Sequence, residues 1–452
     1  MLEIFEYYKP SHSLSFYQAK EEPLLKVNKV LDFVRYFLHN FIFMFSFFYS
    51  RLSPFRHSSF RRYFLVQSLS MIGTWSHDLA RAWIVVEMMG KAAALGLLML
   101  SVSLPTFVLI LQGGVLVDKL EVRRLMMLTR GILAILALIL AMLTEWGNLQ
   151  LWHLLVFGFL EGVVMAFDSP AEQALRARLV PRQDLQQVLT LTSSNFHMAR
   201  MLGPVVAGLL MAFHGPSLVF IVDCLSFVGV LLVLKHLKLS PVLGKKSPKS
   251  KSNLAALLEG FRYLIQTPKL RYPMFQLALT ILLILPQIIV IFRTYVREKF
   301  ALTSGEFGYI FSLPAMGAFI GALIFAFWKP KDPLYALRIS IPSLVIGYTL
   351  VPIMPTMQTT AIIMTIAGFS SYMTFASLTI TMHLKVKEEF RGRIGSLMGL
   401  GFLAIGPMAS FPVGAMADRL GFILSVWILT WVFGVLSVCL AFFHGRASKR
   451  HS

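Results

Sequence analysis

Apolar residues along the chain gather into about twelve blocks separated by short polar turns. They cover residues 63–88, 92–117, 124–144, 149–167, 186–213, 216–237, 272–293, 304–328, 335–354, 358–382, 393–416 and 420–443. At 1.5 Å of rise per helical residue, such blocks can cross roughly 30 Å of hydrocarbon. The pattern predicts an all-α polytopic membrane protein with 12 transmembrane helices. A further apolar stretch, 36–49, is short for a span and is bracketed by Arg35 and Arg51. A helix lying in the membrane interface suits it better than a thirteenth crossing; translation beginning at Met44 is another reading of this region.

The longest internal polar stretch, 238–271, contains KKSPKSKS, the composition of a flexible, self-repelling linker. It divides the spans six and six, and its last part, 253–266, has helical periodicity with one apolar face, as a surface helix would. The organisation expected is a cytoplasmic N-terminal extension over 1–62, a six-helix half over 63–237, a cytoplasmic linker over 238–271, a second six-helix half over 272–445 and a basic cytoplasmic tail over 446–452. The halves also echo one another. In the fifth span LVPRQDL leads to Gly203-Pro204 and then Gly215; in the eleventh KVKEEFRGR leads to Gly406-Pro407 and then Gly421. Equivalent elements running in one direction indicate parallel repeats about an axis along the membrane normal, with substrate bound between them near the midplane.

Composition removes the soluble alternatives: 56% of residues are hydrophobic, 14% are charged, and the mean hydropathy is +0.70. The net charge of +20 comes from 42 Lys and Arg against 22 acids. Most of the bases fall in segments on the side of the two termini, which places both termini in the cytoplasm. The same asymmetry, with attraction to anionic headgroups, accounts for the charge without nucleic acid. Cys224 and Cys439 fall inside spans and suggest neither a disulfide framework nor a metal site. The N-terminus, with Glu3 and Glu6, lacks the basic start and apolar core of a cleavable signal peptide. No Gly-Lys nucleotide loop, HExxH helix or Cys/His ligand set is present. Catalytic residues, cofactors and metals are therefore not expected, and ATP-driven transport, a membrane enzyme and a receptor lose ground.

Between the second and third blocks, GGVLVDKLEVRR at 113–124 reads as a tight turn joining two helices on one face. This loop resembles the signature of the major facilitator superfamily, G-x-L-x-D-[RK]-x-G-[RK]-[RK], through Gly114, Leu116, Asp118, Lys119, Arg123 and Arg124, and departs from it at Glu121 and Val122. A second set of matches comprises IGTW at 72–75, AFDSPAEQALRARLVPRQDL at 166–185, the pairs Ala199-Arg200 and Gly203-Pro204, and RGR at 391–393. These resemble the drug and siderophore exporters typified by the enterobactin exporter and the macrolide efflux proteins. The resemblance implies a bacterial inner-membrane secondary transporter working by alternating access, exporting a siderophore or similar amphipathic molecule against protons. Multidrug or macrolide efflux, and proton-coupled uptake of a small metabolite, are the alternatives. It also implies that Asp118, with Arg123 or Arg124 and a helix N-terminus of the other half, latches one state; a helix N-terminus favours a carboxylate by roughly 0.3–1 kcal/mol. The plain alternative is a turn needed only to join two helices. The counterpart at 327–333, FWKPKDP, lacks the Gly-x-x-x-Asp core, so a single latch is expected.

Charges inside a span cost several kcal/mol unless paired or wetted, which makes each a functional candidate. Only Asp78, Glu161 and Asp223 lie well inside the predicted spans, all in the first half. Asp78 and Arg81 are three apart, and His77 and Arg81 four apart, so they share a helix face. Asp78 is either a carboxylate that alternately binds and releases a proton or the partner of Arg81 in a wet cavity. Glu161 has no base one turn away, so a proton or another helix must neutralise it, and it is the leading proton carrier. Asp223, nearer the outer face, is carrier or rim residue. Arg200 needs an anion, either a substrate carboxylate or Glu161 or Asp78. Trp75, Trp83, Phe196, Tyr309, Tyr348, Tyr372 and Phe375 either line a cavity for an amphipathic substrate or pack against neighbours. The expected partners are a small-molecule substrate, protons and membrane lipids, with the chain able to act as a monomer.

Overall fold

A computed structural model describes residues 53–237, 253–328 and 332–449. The interfacial helix expected at 36–49, the KKSPKSKS stretch and the last residues of the basic tail lie outside the described residues, as does the side chain of Asp118. The first six long helices are α1 (Ser58–Met89), α2 (Ala92–Lys119), α3 (Val122–Glu145), α4 (Leu151–Arg176), α5 (Leu185–His214) and α6 (Pro216–His236). The short α7 (Asn253–Gln266) precedes α8 (Pro268–Phe300), α9 (Ser304–Trp328), α10 (Pro333–Ile353), α11 (Met357–Lys385), α12 (Glu388–Leu420) and α13 (Phe422–Lys449). The end of the bundle where α6 hands over to the linker is the linker end; the end carrying the α1–α2 and α5–α6 turns is the distal end.

Eleven of the long helices are apolar and long enough to cross a membrane, and α1 is the twelfth. It falls short of that apolarity because Gln67, Ser70, Ser76, His77, Asp78 and Arg81 lie along its length. Their burial in the bundle, not lipid, accommodates them. At its other end α1 begins at Ser58, ahead of the apolar block. A 3-10 turn at Ser53–Arg56 precedes it and is tied down by Ser53 Oγ donating to Asp184 (2.5 Å) and by His57 Nε2 at 2.9 Å from the same carboxylate.

Two expectations about chain breaks change. The stretch at 113–119 is helical, and α2 ends only at Lys119, with Leu120 and Glu121 making the whole connection to α3. Gly113 serves a helix crossing instead of a turn: a Cβ there would lie 2.0 Å from the Ala166 carbonyl oxygen of α4. Likewise α4 runs through to Arg176, so Asp168 and Glu172 stand on a helix, not in a loop. Its charged end stays helical because Asp168, Glu172 and Arg176 repeat at four-residue intervals on one face and find partners there.

The α5–α6 and α12–α13 connections turn on Gly215 (φ 76°) and Gly421 (φ 85°), left-handed positions that suit glycine. Helices α8 and α12 contain π turns, at Thr280–Ile284 and Gln287–Ile291 in the first and Gly401–Ile405 in the second. Pro286 and Pro407 lack the N–H that an α-helical ladder requires, and the wider turns absorb the mismatch beside them.

The first six and last six helices meet along two seams, α2 on α12 and α5 on α9. Small residues bring the backbones together in the distal part of both. A Cβ on Gly96 would lie 2.6 Å from the Ser410 carbonyl oxygen, and one on Gly308 would lie 2.4 Å from that of Pro204. The distal seam also has a polar clasp. Asp418, near the end of α12, accepts hydrogen bonds from the backbone N–H groups of Ala92 (2.8 Å) and Ala93 (2.9 Å). These are orphan donors of the first turn of α2, so one carboxylate of the second half caps a helix of the first. Together, the close crossings and the clasp hold the bundle closed at the distal end.

Removing the Asp418 charge is expected to loosen that end. In Asp418→Asn, on a background lacking Cys224 and Cys439, a Ser410→Cys reporter should label faster with a maleimide, because Ser410 is fully buried while the seam is shut. A loss of about 1–2 kcal/mol corresponds to a rise of roughly 5–30-fold in the open population; unchanged labelling would refute the clasp.

Candidate functional site

Five ionisable side chains from three helices of the first half converge inside the bundle. His77, Asp78 and Arg81 come from α1, Glu161 from α4 and Asp223 from α6. Glycines set the helix separations that allow it. A Cβ on Gly73 would lie 2.8 Å from Asp223 Oδ1, and one on Gly162, next to Glu161, would lie 2.1 Å from the Val102 carbonyl oxygen of α2. Gly203 of α5 accepts Trp75 in the same way, and Ser76 Oγ donates to the Gly203 carbonyl at 2.9 Å. The IGTW segment is thus the side of α1 on which α5 and α6 close.

Arg81 is the hub on one side. Its Nη1 pairs with Glu161 Oε2, and its Nη2 with Asp78 Oδ1 at 2.5 Å. His77 is the hub on the other, with Nε2 at 3.2 Å from Glu161 Oε1 and Nδ1 at 3.0 Å from Asp223 Oδ2. Both His77 contacts have ion-pair distance without in-line hydrogen-bond alignment, so charge governs them more than directed bonding. The ring is clamped by Phe220, centroids 4.7 Å apart. His77 and Arg81 are each 3% exposed and Asp223 2%, whereas the Asp78 side chain is 37% exposed. Asp78 is the wet edge of an otherwise dry cluster.

The proton count follows from this arrangement. Three carboxylates face one permanent cation, and both nitrogens of His77 face carboxylate oxygens. A neutral imidazole has a single N–H, so its bare nitrogen would set a lone pair against a carboxylate. An imidazolium, or a proton on one of the facing carboxyls, would remove that conflict. The cluster therefore has a place for a proton shared between His77 and its two acids.

The structure brings Asp78, Arg81, Glu161 and Asp223 into one constellation and leaves Arg200 apart from it. The expected pairing of Arg200 with Glu161 or Asp78 does not form, because Arg81 reaches both first; Arg200 lies over the Trp75 ring, 5.7 Å from its centroid. At the α2–α3 connection, Arg123 and Arg124 both pair with Glu121, at 3.3 and 2.8 Å, the position where the loop departs from the signature. Gly114 lies within α2.

Two sets of residues went unassigned in the sequence. His77 sits between the key acids, and its place four residues before Arg81 was the available signal. Toward the linker end, Asp168 and Glu172 form a second buried network. Arg130 of α3 pairs with Asp168 (2.8 Å) and Glu172 (3.4 Å), Thr129 donates to Asp168 (2.6 Å), and Arg176 pairs with Glu172. The four-residue repeat of charge continuing past the apolar block was the signal there.

Twelve long helices, six before the linker and six after it, with a charge cluster enclosed among the first six, define an all-α polytopic membrane protein. The profile of the family described as transmembrane secretion effector matches residues 49–446, and the chain belongs to that family, within the major facilitator superfamily. Its relatives are transporters and it is not an enzyme. The multidrug efflux pump Tap of Mycolicibacterium fortuitum is 24% identical over 75% of this chain and 84% of its own length. The staphyloferrin A transporter of Staphylococcus aureus is 23% identical over 84% and 94%. The enterobactin exporter EntS of Shigella flexneri is 24% identical over 59% and 62%. Among solved structures, a bacterial homologue of the human lysosomal transporter Spinster, inward-facing and occupied, superposes with a TM-score of 0.66 at 15% identity, covering 87% of this chain and 97% of that one.

Breaking one side of the Arg81–Glu161 pair should cost more than removing both partners. Arg81→Ala is expected to lower stability by about 3–5 kcal/mol because it strands a buried carboxylate. The double variant Arg81→Ala/Glu161→Ala should recover part of that loss in thermal unfolding of the purified protein. A double variant that is less stable by the full sum of the two single losses would argue against a coupled pair.

Proposed function

We propose that this protein is a proton-coupled secondary exporter of a siderophore or a similar amphipathic small molecule, working by alternating access in the bacterial inner membrane. The observation that carries the reading is His77 between Glu161 and Asp223, a buried site that cannot be satisfied with both acids ionised and the imidazole neutral. Protonated and deprotonated clusters favour different packings of α1, α4 and α6, and such a bias is what a coupled transporter needs. Asp78, exposed at the edge, gives the proton its route to and from the cluster. The excess of Lys and Arg on the side of the termini supports a cytoplasmic linker end, so the closed distal end faces outward and the solute enters from the cytoplasm. The relatives that handle staphyloferrin A and enterobactin support a siderophore-like cargo. A second reading, drug efflux, draws on the aromatic faces of Trp75, Phe196 and Tyr372 and on the likeness to Tap.

Deletion of the gene is expected to lower secreted iron chelators, measured by comparing culture supernatants, and leave drug susceptibility unchanged; the reverse outcome selects the drug-efflux reading. Transport of the identified solute in proteoliposomes should then accelerate when an imposed proton gradient opposes its movement. His77→Gln and Glu161→Gln should abolish that acceleration, at least tenfold, while solute exchange without a gradient persists. Gradient-driven transport that survives both substitutions removes the cluster from coupling.

A further inference from the structure

The other arginines buried in the spans have their charge answered. Arg81 holds Asp78 and Glu161, and Arg130 holds Asp168 and Glu172. Arg200 of α5 and Arg293 of α8 differ. Neither has a carboxylate at ion-pair distance among the described residues, both are partly buried, and a guanidinium stays charged in any protein setting. Such a charge at membrane depth calls for a partner.

We propose that Arg200 and Arg293, one from each half, form the binding site for an anionic group of the transported solute. The proposal deepens the export reading and rests on it for the solute being cargo. The two guanidinium groups act on one another electrostatically, and Arg293 also feels Asp78. Asp78, however, is already committed to Arg81 at 2.5 Å. The Nε of Arg293 is buried without a hydrogen-bond partner, and so is the hydroxyl of Tyr348. Tyr348 is within electrostatic reach of Arg200, and its ring packs on Phe292, the neighbour of Arg293, with centroids 5.1 Å apart. Two forked cations, one from each half and neither in an ion pair with a carboxylate among the described residues, can therefore donate to an anion.

The backbone contributes to this placement. The π turn at Gln287–Ile291 ends immediately before Phe292 and adds a residue to that turn. An inserted residue changes the face that the positions after it present. Apolar surface flanks the charge. Trp75 stands against Arg200 and Phe196, and His197 packs on Tyr372 across the halves at 5.0 Å. Charge on one side and rings on the other fit an anion carried on a flat aromatic body, such as an aryl carboxylate.

The test uses the full chain in phosphatidylcholine nanodiscs, with 2-naphthoate as the anionic probe and 2-naphthamide as its neutral counterpart. Binding is read from thermal stabilisation and from tryptophan quenching, with Trp75→Phe as the optical control. Naphthoate should bind at least tenfold more tightly than the amide. Arg200→Gln and Arg293→Gln should each weaken naphthoate by about tenfold or more, the effect of losing one charge-assisted hydrogen bond, without changing the amide. Arg200→Lys and Arg293→Lys keep the charge, guard against misfolding and should restore part of the affinity. Equal binding of the two probes, binding of neither, or naphthoate affinity unchanged in both glutamine variants would overturn the site. Thermal stabilisation by phosphatidylglycerol that is lost in both glutamine variants, without any naphthoate binding, would assign the arginines to lipid and overturn it too. The assay contains no proton gradient, so a failure of proton coupling in proteoliposomes would leave this result standing.

Discussion

A charge cannot stay unpartnered in a low-dielectric bundle, and the arrangement of the first half follows from that constraint. Arg81 holds two carboxylates from two helices, and His77 holds Glu161 again together with Asp223. The cluster therefore ties α1 by charge to α4, which it otherwise touches little, and adds to the close packing of α1 on α6. It also explains why the most polar of the long helices occupies the interior. Gly73 and Gly162 are the complement of this electrostatics, since the pairs reach one another only where the backbones approach closely.

The seams between the halves rest on different physics. There small residues and a carboxylate cap bring the backbones together at the distal end, beside an apolar core that continues across the halves through contacts such as Trp83 on Phe307. Asp418 is strong while the α2 N-terminus is beside it and is solvated when it leaves, so the clasp stabilises one state without preventing the other. Charge pairs thus tie helices within the first half, and glycine-lined crossings join that half to the second.

Much of this was legible in the chain. The apolar blocks located the twelve long helices, and the Gly-Pro pairs with Gly215 and Gly421 exposed the repeat, because turn and kink chemistry is local. Asp78, Arg81, Glu161 and Asp223 were recognisable because charge inside an apolar block is conspicuous. Their partnership was not, since helix spacing relates residues on one helix and says nothing of which helices meet. Arg200 shows the limit: the acids the sequence offers it are Asp78 and Glu161, yet Arg81 satisfies both and Arg200 turns to Trp75. The helical ends of α2 and α4 were missed for a related reason. Polar composition there reads as loop until the tertiary ion pairs that allow it to stay helical are known.

Nitrogen NMR of histidine-labelled protein in nanodiscs reads whether a proton is shared between His77 and the carboxylates it bridges. The His77 signal is the one lost in His77→Gln. A shared proton gives either both ring nitrogens protonated, or one protonated together with an infrared band of a carboxylic acid that disappears in Glu161→Gln or Asp223→Asn. A neutral ring standing between two ionised carboxylates would contradict it.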